Sequence, residues 1–301
     1  MRVAVIQITS IPLQPASLLI SSVFLAKLRD LVVECKQQTG ANFVFLPEAA
    51  DYINDRKEGI SSVSGGDKEG SAAQFQFQFP HFDQFVTFCS SLAKDTGIWL
   101  FTGLHEPSDM DYKKKSFNSY FAFNDRGEIV QKYRKIHLFD IQHEQESLSE
   151  SATTEPGNQL VTLSSLPLHP KATLGFQICY DLRFPELSMA LCSSPRNSNI
   201  LLFPSAFSTV TGPCHWEPLL RARAIETQSF VIAPAQVGVH GKHRKSYGHS
   251  MIIDPWGRVL ASLDGQAEGF ASANLDLSEI ERVRRSMPIY EHKKEWLLIG
   301  S

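Results

Sequence analysis

Apolar residues in this chain gather in short unbroken runs parted by polar stretches, the mark of strands buried on both faces. Such runs are Arg2–Ile8, Asn42–Glu48, Trp99–Gly103, Ala172–Gln177, Asn199–Ser205 and Phe230–Pro234. Two further stretches, Ser119–Gln131 and Ser250–Ala261, read as hairpins around Asp125-Arg-Gly127 and Asp254-Pro-Trp-Gly257. Helices are expected from Leu18 to about Gln38, ending near Gly40, and from Phe184 to Cys192, with Pro185 in the first turn. A third is expected from His215-Trp216 through Glu226.

The pattern echoes itself. Arg2–Gln7 pairs with Ala172–Gln177, Asn42–Glu48 with Asn199–Ser205, Trp99–Gly103 with Phe230–Pro234, and the first hairpin with the second. Each half then runs strand, helix, strand, helix, strand, hairpin. Alternating strands and helices imply α/β architecture. Two such halves can each supply one mixed sheet, packed face to face with helices outside. Two segments stand apart from the echo. Asp55–Gln78 is polar and Gly/Ser-rich and runs into an alternation of Phe75, Phe77 and Phe79 with Gln. Gln142–Asn158 is acidic and Ser/Thr-rich, a candidate lid.

At 301 residues and 43% apolar, the chain is near the upper size for one core and is read as a single domain, 1–301. A net charge of −3 argues against a nucleic-acid or anionic-membrane partner. Five cysteines without regular spacing do not form a secreted disulfide framework and suit a reducing compartment. No Cys/His spacing suggests zinc. Residues 18–25 are apolar but too few to span a bilayer, and the chain opens directly on a strand rather than a targeting segment. A cytoplasmic location is expected, with a mitochondrial pool compatible.

Cys179 ends an apolar strand, and a turn leads from it into the helix expected from Phe184, a corner that lifts a nucleophile out of a sheet. The helix N-terminus and a nearby cation would favour its thiolate. A buried structural thiol is the competing reading. Glu48 ends another apolar strand, where a solvated loop carboxylate is the ordinary expectation. Lys135 lies between hydrophobic residues, where snorkelling is ordinary. Together they supply a base, a cation and a nucleophile. Ser205 stands at the strand end equivalent to Glu48, and such carboxyl ends form the ligand crevice of α/β folds. Arg183 and Arg244 are candidates for gripping a substrate carboxylate, although Arg183 can equally pair with Asp181 or Glu186. On the third helix, Arg221 and Arg223 are expected to pair with Glu226. His137, His215 and His249 raise a Cys–His dyad, yet nothing local places one beside the thiol.

Three segments carry a resemblance: Phe45-Leu-Pro-Glu48, Tyr133-Arg-Lys-Ile-His-Leu138 and Ile178-Cys-Tyr-Asp-Leu-Arg-Phe-Pro-Glu186. In that order they resemble the nitrilase (carbon-nitrogen hydrolase) superfamily, in its amidase branch. The resemblance implies an α-β-β-α sandwich, a catalytic triad of Glu48, Lys135 and Cys179, no cofactor, and a homodimer. It implies hydrolysis of carbon–nitrogen bonds other than peptide bonds. It also implies a second glutamate from the acidic segment; Glu150 is the best match, with Glu144, Glu146 and Glu155 nearby. Ser205–Glu217, Leu219–Glu226 and Tyr247–Gly257 are similar to the Nit1-type subgroup, whose members hydrolyse deaminated glutathione to α-ketoglutarate and cysteinylglycine. Cys214 departs from the small residue expected there and is read as a packed thiol. The substrate is then a small carboxylate-bearing amide, turned over through a thioester on Cys179. Lys135 and the Tyr180 N–H would stabilise the oxyanion. An ω-amidase acting on α-ketoglutaramate or α-ketosuccinamate, and a catalytically idle scaffold, are the alternatives. The C-terminal run 287–298 offers apolar cover for a second copy.

Overall fold

The computed structural model describes residues 1–11, 19–53, 80–108, 115–143, 146–167, 169–242 and 244–293. The Phe75, Phe77 and Phe79 alternation, Glu144 and the end of the 287–298 run lie outside these residues. In the first half, β1 (Arg2–Gln7), α1 (Ser22–Thr39), β2 (Phe43–Phe45), α2 (Pro80–Thr96) and β3 (Trp99–Pro107) lead to β4 (Ser116–Phe123) and β5 (Ile129–Arg134). A small hairpin, β6 (Asp140–His143) and β7 (Glu146–Ser149), and the short β8 (Thr154–Glu155) and β9 (Thr162–Leu163) connect the halves. The second half runs β10 (Leu174–Phe176), α3 (Pro185–Cys192), β11 (Ile200–Leu202), α4 (Gly212–Thr227) and β12 (Phe230–Ala233). It continues with β13 (Val237–Val239), β14 (Lys245–Tyr247), β15 (Met251–Ile253), β16 (Val259–Ser262), β17 (Gly269–Asn274), α5 (Ser278–Ser286) and α6 (Ile289–His292).

The strands form two large sheets built to one plan. One has the order β17-β1-β2-β3-β4-β5, with β8 beside β4; the other has the order β16-β15-β12-β11-β10-β9. In each, three parallel strands carry the hairpin on one side and an antiparallel strand on the other. The echo in the sequence is therefore an echo in space, interrupted in the second half by the inserted β13–β14 pair.

Strand alternation sorts the core into layers. Val3 and Val5 face the other sheet, in one cluster with Phe45, Phe101, Tyr120, Leu174 and Phe176, while Ala4 and Ile6 turn toward Phe24 and Leu28 of α1 and Phe85 and Leu92 of α2. Phe176 meets Phe101 and Tyr120 across the layers, with ring centroids 6.3 and 6.2 Å apart. Trp216 and Leu220 of α4 and Leu191 of α3 cover the second sheet. This is the α-β-β-α sandwich. Helix α1 stops where Gly40 adopts φ +66°, an αL cap that glycine supplies without a Cβ penalty.

Candidate active site

Cys179 sits three residues beyond β10 with φ +61°. That is a left-handed conformation which costs a non-glycine residue free energy and persists only where its surroundings enforce it. The enforcing group is Asp181, fully buried two residues on. Its carboxylate accepts the Ile178 N–H (2.9 Å), the Tyr133 hydroxyl (2.7 Å), the His137 N–H (3.1 Å) and His137 Nδ1 (2.7 Å). Tyr133 and His137 flank Lys135, so one carboxylate ties the thiol's turn to the lysine's segment. A 3-10 turn, Cys179–Arg183, follows the thiol, and α3 begins only at Pro185. The sequence likewise placed a turn after the thiol and a helix from Phe184 to Cys192 with Pro185 in its first turn.

Glu48 follows β2, and its corner is clamped. The Gly103 N–H donates to the Pro47 carbonyl (3.0 Å), and Gln236 Nε2 donates to the carbonyls of Glu48 and Ala49 (2.9 and 3.1 Å). A Cβ on Gly103 would lie 2.6 Å from the Glu48 Cα, which explains the glycine. The carboxylate receives Lys135 Nζ (2.9 Å) and Asn118 Nδ2 (2.7 Å) on Oε1, and the Ala206 N–H (2.7 Å) on Oε2. It is also hydrogen-bonded to the Cys179 thiol. Glu150 completes a ring: Lys135 Nζ donates to its Oε2 (2.8 Å), Asn118 Nδ2 to its Oε1 (2.9 Å), and the Phe139 N–H to its Oε2 (2.7 Å).

These charges decide protonation. Burial opposes the charge on Glu48, but Lys135, the thiol and Asn118 together hold its carboxyl below the usual range. Burial likewise opposes the Lys135 charge, and Glu150 and Glu48 overcome it, keeping an ammonium. Burial and then the Glu48 charge push the Cys179 thiol well up, with Lys135 opposing. The expectation from sequence is that Lys135 favours the thiolate, with Glu48 as the proton's acceptor; here burial and Glu48 outweigh the lysine and favour a protonated thiol beside an ionised carboxylate.

The three groups open on a cavity of about 310 Å³, and Glu48, Lys135, Cys179, Glu150, Tyr180, Arg183 and Arg244 all line it. Ser205 does not. It is fully buried, its Oγ donates to the Phe203 carbonyl (3.0 Å), and the next residue, Ala206, faces the site instead. Arg183 pairs with neither Asp181, which is saturated by other donors, nor Glu186. Its guanidinium lies 3.1 Å from His215 Nδ1 and over the Tyr180 and Phe207 rings. Arg244 Nη2 is 3.5 Å from the Ala206 carbonyl. Arg223 reaches Glu226 at 3.4 Å as expected, but Arg221 pairs with Glu217. Cys214 is exposed rather than packed. His137, His215 and His249 lie off the cavity lining, which disfavours the Cys–His dyad.

Sequence reading missed Asn118, whose amide holds both glutamates, and the pair of His105 with the buried Asp51 at the cavity wall. Asn118 lies inside an apolar-looking strand; its only signal was a polar residue on a strand buried along its whole length. Among the described residues no group of three or more His, Cys, Asp or Glu side chains is placed to hold a metal, and no helix is long and apolar enough to cross a membrane.

Residues 2–285 match the carbon-nitrogen hydrolase family model. The chain belongs to the carbon-nitrogen hydrolase family. It is 39% identical over 258 residues to the deaminated glutathione amidase of Homo sapiens, covering 85% of this chain and 73% of that protein. It is 39% identical over 271 residues to the nitrilase and fragile histidine triad fusion protein NitFhit of Drosophila melanogaster, covering 90% of this chain. This chain spans only 54% of that fusion protein's length. The crystal structure of the C. elegans NitFhit protein superposes with a TM-score of 0.77 at 31% identity, over 98% of this chain and 65% of that one. The two-sheet sandwich is thus a carbon-nitrogen hydrolase fold, and the chain is an enzyme of carbon–nitrogen bond hydrolysis.

Proposed function

We propose that this hydrolase is a cysteine amidase that cleaves deaminated glutathione to α-ketoglutarate and cysteinylglycine. The observation that carries the reading is the meeting of Cys179, Glu48 and Lys135 on one cavity, with Lys135 Nζ 2.9 Å from Glu48 Oε1. The substrate rests on similarity to proteins named deaminated glutathione amidase, 39–40% identical over 85% or more of the chain in mammals.

Attack is coupled to proton transfer. As Cys179 Sγ bonds to the amide carbon, its proton passes to Glu48. Charge moves to the carbonyl oxygen, where the Lys135 ammonium and the Tyr180 N–H receive it. On collapse the C–N bond breaks, Glu48 returns the proton to the leaving amine, and a thioester remains. Water then attacks the thioester carbon while Glu48 takes its proton, and the acid departs as Cys179 recovers a hydrogen. Lys135 stays an ammonium throughout, because Glu150 and Glu48 hold its proton. Glu150 acts by fixing Lys135 and Asn118.

The test is mass spectrometry of protein quenched during turnover of deaminated glutathione. An acyl adduct is expected on the Cys179 peptide and is lost in Cys179→Ala. An adduct on Cys35, Cys89, Cys192 or Cys214 overturns the assignment. Parallel kcat/KM for α-ketoglutaramate checks the substrate: a higher value there moves the enzyme to the ω-amidases.

A further inference from the structure

The cavity has a second built wall that the mechanism does not use. His105 stands on β3 opposite Asn118 of β4. Asp51, with no exposed surface, accepts the His105 N–H at 2.8 Å and His105 Nδ1 at 3.0 Å, and also the Tyr52 N–H at 2.9 Å. Tyr52 stacks on the imidazole, centroids 4.1 Å apart, and His81 meets Tyr52 edge-on. The ring therefore cannot turn. Asp51 is a carboxylate, so Nδ1 carries the hydrogen it accepts. Nε2 is left as the ring's free atom, with no hydrogen-bond partner among the described residues. His105 and Tyr52 both line the cavity, and the histidine side chain is 17% exposed there.

We propose that His105 is a specificity-determining residue, whose Nε2–H takes an oxo or carboxylate oxygen on the acyl chain of the substrate and rejects an ammonium group at the same place. The inference rests on the amidase reading above and deepens it. A deaminated substrate differs from its parent by an oxo group where the parent carries an ammonium. An imidazolium offers only donors, so it hydrogen-bonds the oxo oxygen. Against an ammonium it sets donor to donor and charge to charge, and such mismatches in a desolvated site are the strongest available discriminators.

The charges around the ring favour its protonated form. Burial opposes the charge, but Asp51, and then Glu150 and Glu48 across the cavity, raise His105 above the ordinary histidine range. His81 beyond Tyr52 and, on the cavity lining, Tyr52, Lys115, Lys135, Cys179, Arg183 and Arg244 are further titratable or charged groups around the site. When the ring loses its proton, Nδ1–H stays on Asp51 and Nε2 becomes an acceptor. Preference for the oxo compound then weakens.

The experiment pairs kinetics with binding. The ratio of kcat/KM for deaminated glutathione over glutathione is measured for wild type and His105→Asn, alongside calorimetric affinities for α-ketoglutarate and glutamate. Circular dichroism confirms that the variant is folded. In His105→Asn both ratios are expected to fall roughly tenfold to hundredfold, the worth of a hydrogen bond to a charged group, mostly through KM and with kcat little changed. In wild type the kinetic ratio falls as pH rises above the ordinary histidine range, and in the variant it stays flat there. Unchanged ratios in the variant overturn the inference. Wild-type protein that turns over neither amide overturns the amidase reading instead, and the binding pair still judges His105.

Discussion

At Glu48 two oxygens serve Lys135, Asn118, Ala206 and Cys179. Glu48→Gln keeps the side chain's shape but removes the base, so kcat should fall by about 10²–10⁴ with the fold intact; a loss under tenfold would remove Glu48 as the base. Its lowered pKa also fixes a sign. A carboxyl whose folded pKa is depressed stabilises the protein above its unfolded value and loses that contribution as pH falls through the folded one. Activity should therefore persist below the ordinary carboxylate range, while this part of stability declines across it. A kcat/KM profile already failing near neutral pH would contradict it. The raised thiol acts in the opposite direction. Iodoacetamide should label Cys179 without an inflexion below its ordinary pKa near 9.0, and an inflexion near neutrality would restore the resting thiolate. Glu48, Lys135 and Cys179 were legible because each breaks an apolar run with a reactive group. Their protonation was not, since it depends on burial and on neighbours distant in sequence.

Elements place these residues. The positive φ of Cys179 and the staple from Asp181 to Tyr133 and His137 belong to a short turn that no periodicity marks. Local reading supplied the strand, the turn and the helix there, but not the buried carboxylate that ties the turn to the lysine's segment. Asp181→Asn should leave buried donors poorly satisfied, at about 1–3 kcal/mol of stability. It should also lower kcat more than it raises KM, because Cys179 and Lys135 lose their common anchor. Equal loss in both constants, with an unchanged melting temperature, would dismiss the staple. The strand-end echo was correct to within one residue: it pointed at Ser205, whereas the backbone of Ala206 makes the contact. Run patterns locate a strand's end but not which group turns into the cavity.

For the whole molecule, the apolar runs give both the layers and the doubled plan, since alternate residues such as Val5 and Ile6 part toward different layers. The outer strands β9 and β17 and the inserted pair β13–β14 escaped notice, being short, polar or glycine-bearing. Phe176 joins the two sheets at their centre. Phe176→Ala should cost about 3–5 kcal/mol, read from urea unfolding, and a loss below 1 kcal/mol would show that the sheets do not share one core.

The left-handed backbone at Cys179 also limits what mutation can reach. Of the side chains that a single position can sample, those branched at Cβ strain most there, while glycine, asparagine and aspartate tolerate it. A saturation library at this position, sorted on soluble yield alone, should therefore be poor in valine, isoleucine and threonine and rich in those three, so the geometry that presents the sulfur also narrows the route by which the lineage could abandon it.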